Sequence, residues 1–444
     1  MSALPLLKGE MMFPSLALLF AALPVAKGSP VPHTSGRDKV LLVSFDGFRW
    51  DYDQDVDTPN LDAMAAEGVK AQYMTPAFIT LTSPCHFTLL TGKYMENHGV
   101  IHNMCFNTST GVKLPYYSTQ GIDSWWDNGS LPIWITAQRQ GLKTGSIHFP
   151  GTKAKYQGEE VSMKLVEPPL FNYSNETIWR QNIDTAMEWF TVNNLDFITL
   201  YFGEPDSTGH KYGPESTQRR NMVGQVDKTI GYLRQRIRES GLESNLNLII
   251  TSDHGMETVI KSNEIYLRNV ENFTFSDIQF ELLDYGPNGL LIPKEGKLEH
   301  VYSVLKNAHP KLHVYKKEEF PKRFHYANHP RITPLLMYGD PGYVIHGVRC
   351  TCTHFTVFLG SVSFLLSSSQ PTRTYLALCL RFDPSPHPNR RLRPETAELG
   401  TWREGAGRAS CLREAAELGT HICLPSRDTR CSSTRGSTAL TTRP

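Results

Sequence analysis

Three apolar runs, 40–45 (VLLVSF), 197–202 (FITLYF) and 246–251 (LNLIIT), read as strands buried on both faces. Each is followed within a few residues by an aspartate: Asp46, Asp206 and Asp253. Strands of this kind, alternating with helical segments, belong to the α/β class with a mainly parallel sheet. The helical segments are Thr58–Gly68, with Leu61, Met64 and Ala65 on one face, and Asn221–Arg238, through Val223, Val226, Ile230, Leu233 and Ile237. Sites in such sheets lie outside the carboxyl ends of the strands. Three separate segments therefore carry a carboxylate toward the same edge of one fold.

Two histidines accompany those carboxylates. His210 follows Asp206 by four residues, close enough to clasp one ion with it, and Gly209 would permit a tight bend between them. His254 is adjacent to Asp253, so an irregular loop must aim both inward, and Gly255 allows it; Gly47 plays the same part after Asp46. Carboxylates neutralise divalent charge, and imidazoles are the nitrogen ligands that suit zinc. Thr82-Ser83-Pro84 before HFTLL reads as a helix cap with proline in the first turn, which turns the Thr82 hydroxyl toward the positive end of a helix. A hydroxyl beside two cations is what phosphoryl transfer through a covalent intermediate requires. Asn103 is placed to donate its amide to a phosphate oxygen.

The charge balance divides the chain. Residues 348–444 hold 13 Arg, no Lys and 7 acids, while residues 1–347 hold 32 basic and 37 acidic residues. The whole chain is at +1, which argues against a nucleic-acid partner. Only Cys85 and Cys105 of the eight cysteines fall before residue 348, so residues 38–347 are no disulfide scaffold. The stretch 348–444, with SSSQP, PSPHP, NRRLRP and a repeated AELGT, reads as a divergent, largely disordered tail. At the other end, Lys8, the apolar run Phe13–Ala26 and the small-x-small Ala26-Lys27-Gly28 read as a secretory signal peptide over 1–28. Five N-glycosylation sequons begin at Asn107, Asn128, Asn172, Asn175 and Asn272, in agreement with export.

The phrases LVSFDGFRWDY, TPNLDAMAAEGV, LTSPCHFTLLTGKYMENHGVIHN, FGEPDSTGHKYGP and TSDHGM, in that order over residues 38–347, resemble the ectonucleotide pyrophosphatase/phosphodiesterase family of the alkaline phosphatase superfamily. WWDNGSLPIWITAQRQG and FELLDYGPNG are similar to its alkaline sphingomyelinase branch. That resemblance implies an alkaline-phosphatase-like sheet flanked by helices. It implies two zinc ions, one held by Asp46, Thr82, Asp253 and His254, the other by Asp206 and His210. Thr82 would be the nucleophile, Asn103 would stabilise developing charge, and sphingomyelin at a membrane or micelle surface would yield ceramide and phosphocholine. The implied protein is a monomer outside the cell or at its surface.

Two departures from the family pattern stand out. The histidine that completes the second zinc site is missing where YVIHG runs into VRCTCTHF, and the last part of the core is expected to be truncated. His346 and His354 are weak replacements. The hydrophobic anchor of membrane-bound relatives is not expected either. Phe149, Tyr173 and Phe280 are candidates for an aromatic box around choline, with ordinary core packing as the competing reading for each. A nucleotide phosphodiesterase, and a binding protein with an impaired zinc centre, are the alternative functions.

Overall fold

The computed structural model describes residues 37–169 and 171–347, together with the backbone of Leu378–Arg381. The signal peptide, His354 and most of the tail lie outside the described residues.

The central sheet contains β1 (Lys39–Phe45), β2 (Thr144–Ile147), β3 (Met163–Leu165), β4 (Phe197–Phe202) and β5 (Leu246–Thr251). These five strands are parallel, in the order β5-β1-β4-β2-β3. Beyond β5 the backbone of Leu378–Arg381 adds an antiparallel edge, Leu380 opposite Leu248. The period-2 alternation of the strands sorts their side chains. Leu41, Val43, Phe45, Ile198, Leu200 and Phe202 enter one apolar cluster, while Val40, Leu42, Phe197 and Tyr201 face the other.

Three helices cover the first face: α1 (Pro59–Glu67), α3 (Glu176–Thr191) and α5 (Thr217–Glu239). The long α5 buries Val223, Val226, Ile230, Leu233 and Ile237 at helical spacing, and the Ser216 side chain caps its start by accepting from Arg219 N–H. Asp227 of α5 accepts from the Asn60 and Leu61 N–H groups, which satisfies the open first turn of α1 from a neighbouring helix. On the other face, α2 (Thr82–Thr91) packs with Trp125, Trp126 and Trp134 into a second cluster. The short helix α4 (Asp206–Tyr212) follows β4 directly.

After β5 the chain builds β6 (Glu264–Tyr266), β7 (Ile278–Leu282), β8 (Asn288–Pro293), α6 (Leu298–Lys306), β9 (Leu312–Lys316), β10 (Leu335–Gly339) and β11 (Val344–His346). Four of these strands form an antiparallel sheet in the order β9-β10-β8-β7, and β11 pairs in parallel with β6. Of the five sequon asparagines, Asn172 and Asn272 are exposed. Asn107, Asn128 and Asn175 are half-buried, Asn175 as the side-chain cap of α3.

Candidate active site

Strands β1, β4 and β5 end level with one another. Phe45 pairs with Phe202, and Ser44 with Thr251, so the residues that follow emerge at one edge. Asp46 N–H donates to Phe202 O at 2.9 Å, and Asp206 N–H donates to Asp46 O at 3.0 Å, which laces the two loops together. Gly47 is required there twice. Its φ of +69° disfavours a side chain, and a Cβ would lie 2.7 Å from the Asp206 Cβ. Its N–H donates to Asp253 Oδ1 at 3.1 Å, tying the third aspartate to the first loop.

Each aspartate has one oxygen engaged and one left over. Asp46 Oδ2 accepts from the Tyr201 hydroxyl at 2.6 Å, and Asp206 Oδ2 lies 3.3 Å from His210 Nε2. The other oxygens, Asp46 Oδ1, Asp206 Oδ1 and Asp253 Oδ2, are buried with no donor. His254 Nδ1 lies 2.9 Å from Gly255 O. A carbonyl can only accept, so Nδ1 carries the proton and Nε2 is free to present a lone pair. That nitrogen is 3.2 Å from Asp253 Oδ2 and 3.5 Å from Asp46 Oδ1. Donor atoms of Asp46, Asp206 and His254 all lie within 4.8 Å of one another.

Burial, with Asp253 and Asp206 alongside, pushes the Asp46 carboxyl well above its ordinary range. Burial works in the same direction on Asp206, but His210, His254 and His86 together outweigh it and hold that carboxyl low. Three carboxylates gathered at one strand edge, Asp46 and Asp253 buried and Asp206 half-buried, are unfavourable without positive charge between them. Orphaned oxygens and a directed imidazole lone pair fit a divalent cation.

Thr82 opens helix α2 beside this cluster. It is the first helical residue rather than the cap; Leu81 occupies the cap position, and no side chain caps the helix. The expected Thr82 cap is corrected accordingly, and Pro84 falls at the third helical position. Thr80, with φ at 53°, turns the chain sharply just before the helix, an unusual conformation for a β-branched residue. His86 Nδ1 is 2.8 Å from Thr82 O and 3.3 Å from Asp253 Oδ2, so the first turn of α2 stands beside the carboxylates. Asn103 Oδ1 accepts from Ser83 N–H at 2.8 Å, which leaves its amide nitrogen as the donating end, with the Tyr285 hydroxyl as one neighbour.

Several expectations require correction. Gly209 sits inside the helix α4, where a Cβ would collide with Met256 Sδ at 2.1 Å; it serves close packing, not a bend. For Phe149 and Phe280 the competing reading of core packing fits their burial, 1% and 3% exposed. Phe149 packs edge-on behind His86, and Phe280 stacks on Phe106. Tyr173 is only partly buried, its hydroxyl donating to Glu167 at 2.6 Å. His346 bonds Asp284 at 2.9 Å and stacks on Tyr266, and it belongs to neither carboxylate group. His86 and Tyr201 were not expected at the site. The spacing of Thr82 and His86, four apart on one helix face, was the signal available for the first. Tyr201 shows only once its strand face is known.

Residues 40–351 match the type I phosphodiesterase / nucleotide pyrophosphatase family. The chain belongs to that family. It is 68% identical over 335 residues to ectonucleotide pyrophosphatase/phosphodiesterase family member 7 of Mus musculus, covering 75% of this chain and 76% of the relative. The member 7 protein of Homo sapiens is 65% identical over 343 residues, 77% of this chain and 75% of that one. Among solved structures, murine member 5 superposes with a TM-score of 0.67 at 35% identity, covering 77% of this chain and 88% of that one. The same protein as an inactive threonine-to-alanine variant in complex with AMP gives the same score, identity and coverage. The fold is thus the alkaline-phosphatase-like fold of these enzymes, the chain is a hydrolase of phosphodiesters, and Asp46, His86 and Asp253 are among its candidate metal-site residues.

Proposed function

We propose that the chain is a zinc-dependent phosphodiesterase of phospholipase C type that hydrolyses sphingomyelin to ceramide and phosphocholine. The observation that carries the chemistry is the set of donor-less carboxylate oxygens, of which Asp253 Oδ2 stands beside the first turn of α2 that begins at Thr82. Likeness to the member 7 relatives points to the sphingolipid substrate. Asp46, Thr82, Asp253 and His254 would hold one zinc ion, and Asp206 and His210 the other. Two such ions supply charge neutralisation for both the attacking and the leaving oxygen.

The reaction runs in two displacements. Thr82 Oγ1 forms a bond to phosphorus, and the phosphorus–oxygen bond to ceramide breaks. The ceramide oxygen leaves with the electron pair and takes up a proton, while the Thr82 hydroxyl proton passes to solvent. Water then attacks phosphorus, the bond to Thr82 Oγ1 breaks, and that oxygen recovers a proton as phosphocholine departs. Asn103, held by Ser83 N–H, would donate an amide hydrogen to a phosphate oxygen.

The choline end calls for aromatic faces and negative charge. Tyr173, Phe171 and Glu167 form such a group: Phe171 meets Tyr173 edge-on at 5.4 Å, and Tyr173 donates to Glu167. Tyr116 and Tyr117, edge-on to each other at 5.4 Å, lie near Tyr173, and Tyr201 of the same neighbourhood holds Asp46. This group replaces Phe149 and Phe280 as the choline box, and Tyr173 remains in it. Burial raises Glu167 to about 7. Its ionised form is therefore the minority below neutrality and dominates above it, and only that form attracts a quaternary ammonium. Phosphocholine inhibition is expected to strengthen as pH rises from 6 to 8. Glu167→Gln should weaken it about tenfold at pH 8 and flatten the dependence, as inhibition constants would show.

The enzyme would act in the secretory pathway or outside the cell, on lipid at a membrane or micelle surface. Among the described residues no helix is long and apolar enough to cross a membrane. The deciding experiment compares phosphocholine release from sphingomyelin with hydrolysis of a nucleotide diester by the same preparation. Preference for sphingomyelin is expected. Preference for the nucleotide would replace the reading, and turnover of neither would favour a binding protein.

A further inference from the structure

His86 is fully buried and lies within reach of three functional elements at once. Its Nε2 is 2.8 Å from Ser44 Oγ on β1, its Nδ1 is 2.8 Å from Thr82 O, and the same Nδ1 is 3.3 Å from Asp253 Oδ2. Its donor position also groups with Asp46 and Asp253, which makes it a candidate ligand by distance. Hydrogen-bond chemistry argues otherwise. A carbonyl oxygen can only accept, so Nδ1 carries a hydrogen, and a nitrogen bearing hydrogen has no lone pair for a cation. The other nitrogen is taken up by Ser44. Phe149 and Tyr201 pack edge-on against the ring, at 5.0 and 5.2 Å, and hold its plane.

We propose that His86 is a positioning residue for the nucleophile and not a metal ligand: it pins the Thr82 carbonyl, and through it the first turn of α2, to strand β1. This rests on the assignment of Thr82 as nucleophile. In an α-helix the carbonyl four residues back already receives a backbone N–H, so the imidazole adds a second donor that fixes the tilt of that peptide. The first turn has no side-chain cap, and the residue before the cap position is in a strained left-handed conformation. Its orientation therefore needs a tether. Ser44 supplies the far end of that tether on β1, two residues before Asp46, so the link from the nucleophile ends on the strand that leads directly into the first metal ligand. A misplacement of about 1 Å between reacting groups is enough to cost on the order of 100-fold in rate.

Two substitutions separate the two nitrogens. An asparagine amide reaches the place of Nδ1, and a glutamine amide the place of Nε2. His86→Asn keeps a donor for Thr82 O and gives up Ser44; His86→Gln does the reverse. A tether is lost when either end is cut, so the expected result is a fall of about 100-fold in kcat for both variants, with KM within about twofold, parental zinc content and an unfolding temperature within a few degrees of the parent. Zinc by mass analysis and thermal unfolding are measured on the same samples. Loss of zinc in proportion to activity would overturn the proposal in favour of a ligand. Equal losses that track the fall in unfolding temperature would overturn it in favour of core packing, and retained activity in both would show that no tether is needed. Thr82→Ala is run alongside: if it turns over normally, the nucleophile assignment itself fails, a result distinct from the His86 outcomes.

Discussion

Replacing Thr82 by alanine is expected to lower turnover roughly 10⁴-fold or more, which corresponds to about 5 kcal/mol or more of transition-state stabilisation. Thr82 is half-buried, and no side chain caps α2, so the lost hydroxyl leaves no helix N–H newly unsatisfied. Alanine is also the better helix former, so folding stability should stay within about 0.5 kcal/mol of the parent. The carboxylates that gather the metal come from β1, β4 and β5 and do not depend on α2 for their placement. Metal content should therefore remain close to the parent's while turnover collapses. Thr82→Ser restores a hydroxyl at the same atom and should recover most of the rate. Turnover, metal content by mass analysis and thermal unfolding on the three proteins check the prediction together. Ordinary turnover by the alanine variant would move the nucleophile elsewhere.

The sheet was legible because its strands are buried on both faces. Phe197–Phe202 has no exposed residue, so an uninterrupted apolar run marked it at the boundaries found. Antiparallel β7 and β9 carry alternating polar residues over five positions each, IQFEL and LHVYK, and runs that short do not stand out from a loop. The aspartates were legible for a related reason: a carboxylate just past a buried strand has few purposes other than binding. The partners that orient them were not. Tyr201 donates to Asp46 across 155 residues and His86 meets Ser44 across 42, and neither separation leaves a trace in local composition. Gly209 looked like a bend because its reason, the Met256 thioether pressed against the helix, lies on another loop. Phe149 had two readings open, pocket and core, because aromaticity alone does not say which side of a strand-to-loop turn faces the core. Glu167 and its tyrosines were missed because a lone carboxylate in a loop resembles any solvated charge until its burial is known.

Chelation of the metal is expected to lower the unfolding temperature by about 6 °C at pH 8. A ligand bound at 1,000 times its dissociation constant contributes about 4 kcal/mol, and a domain of roughly 310 residues, at about 2.1 cal/mol/K of unfolding entropy per residue, shifts by about 1.5 °C per kcal/mol. The dependence on pH follows from Asp46. Its folded-state value lies well above the ordinary 3.8, through burial and the neighbouring carboxylates. A carboxyl so raised takes up a proton on folding, so its contribution to stability is fully present below about 3.8 and is lost as pH climbs through the folded-state value. The metal-free chain should therefore be most stable on the acid side, while the loaded chain, whose carboxylates are neutralised, gains as protons cease to compete with metal. The gap between the two unfolding temperatures should widen from pH 5 to pH 8. Asp46→Asn supplies the test with opposite signs. Without metal it removes one of three crowded charges and keeps an acceptor for the Tyr201 hydroxyl, so it should raise the unfolding temperature. With metal in excess it removes a ligand, so it should fall below the parent. A variant that lowers stability in both conditions would mean that Asp46 holds the fold by ordinary hydrogen bonding, and that the three carboxylates are not held together against their own repulsion for the sake of a cation.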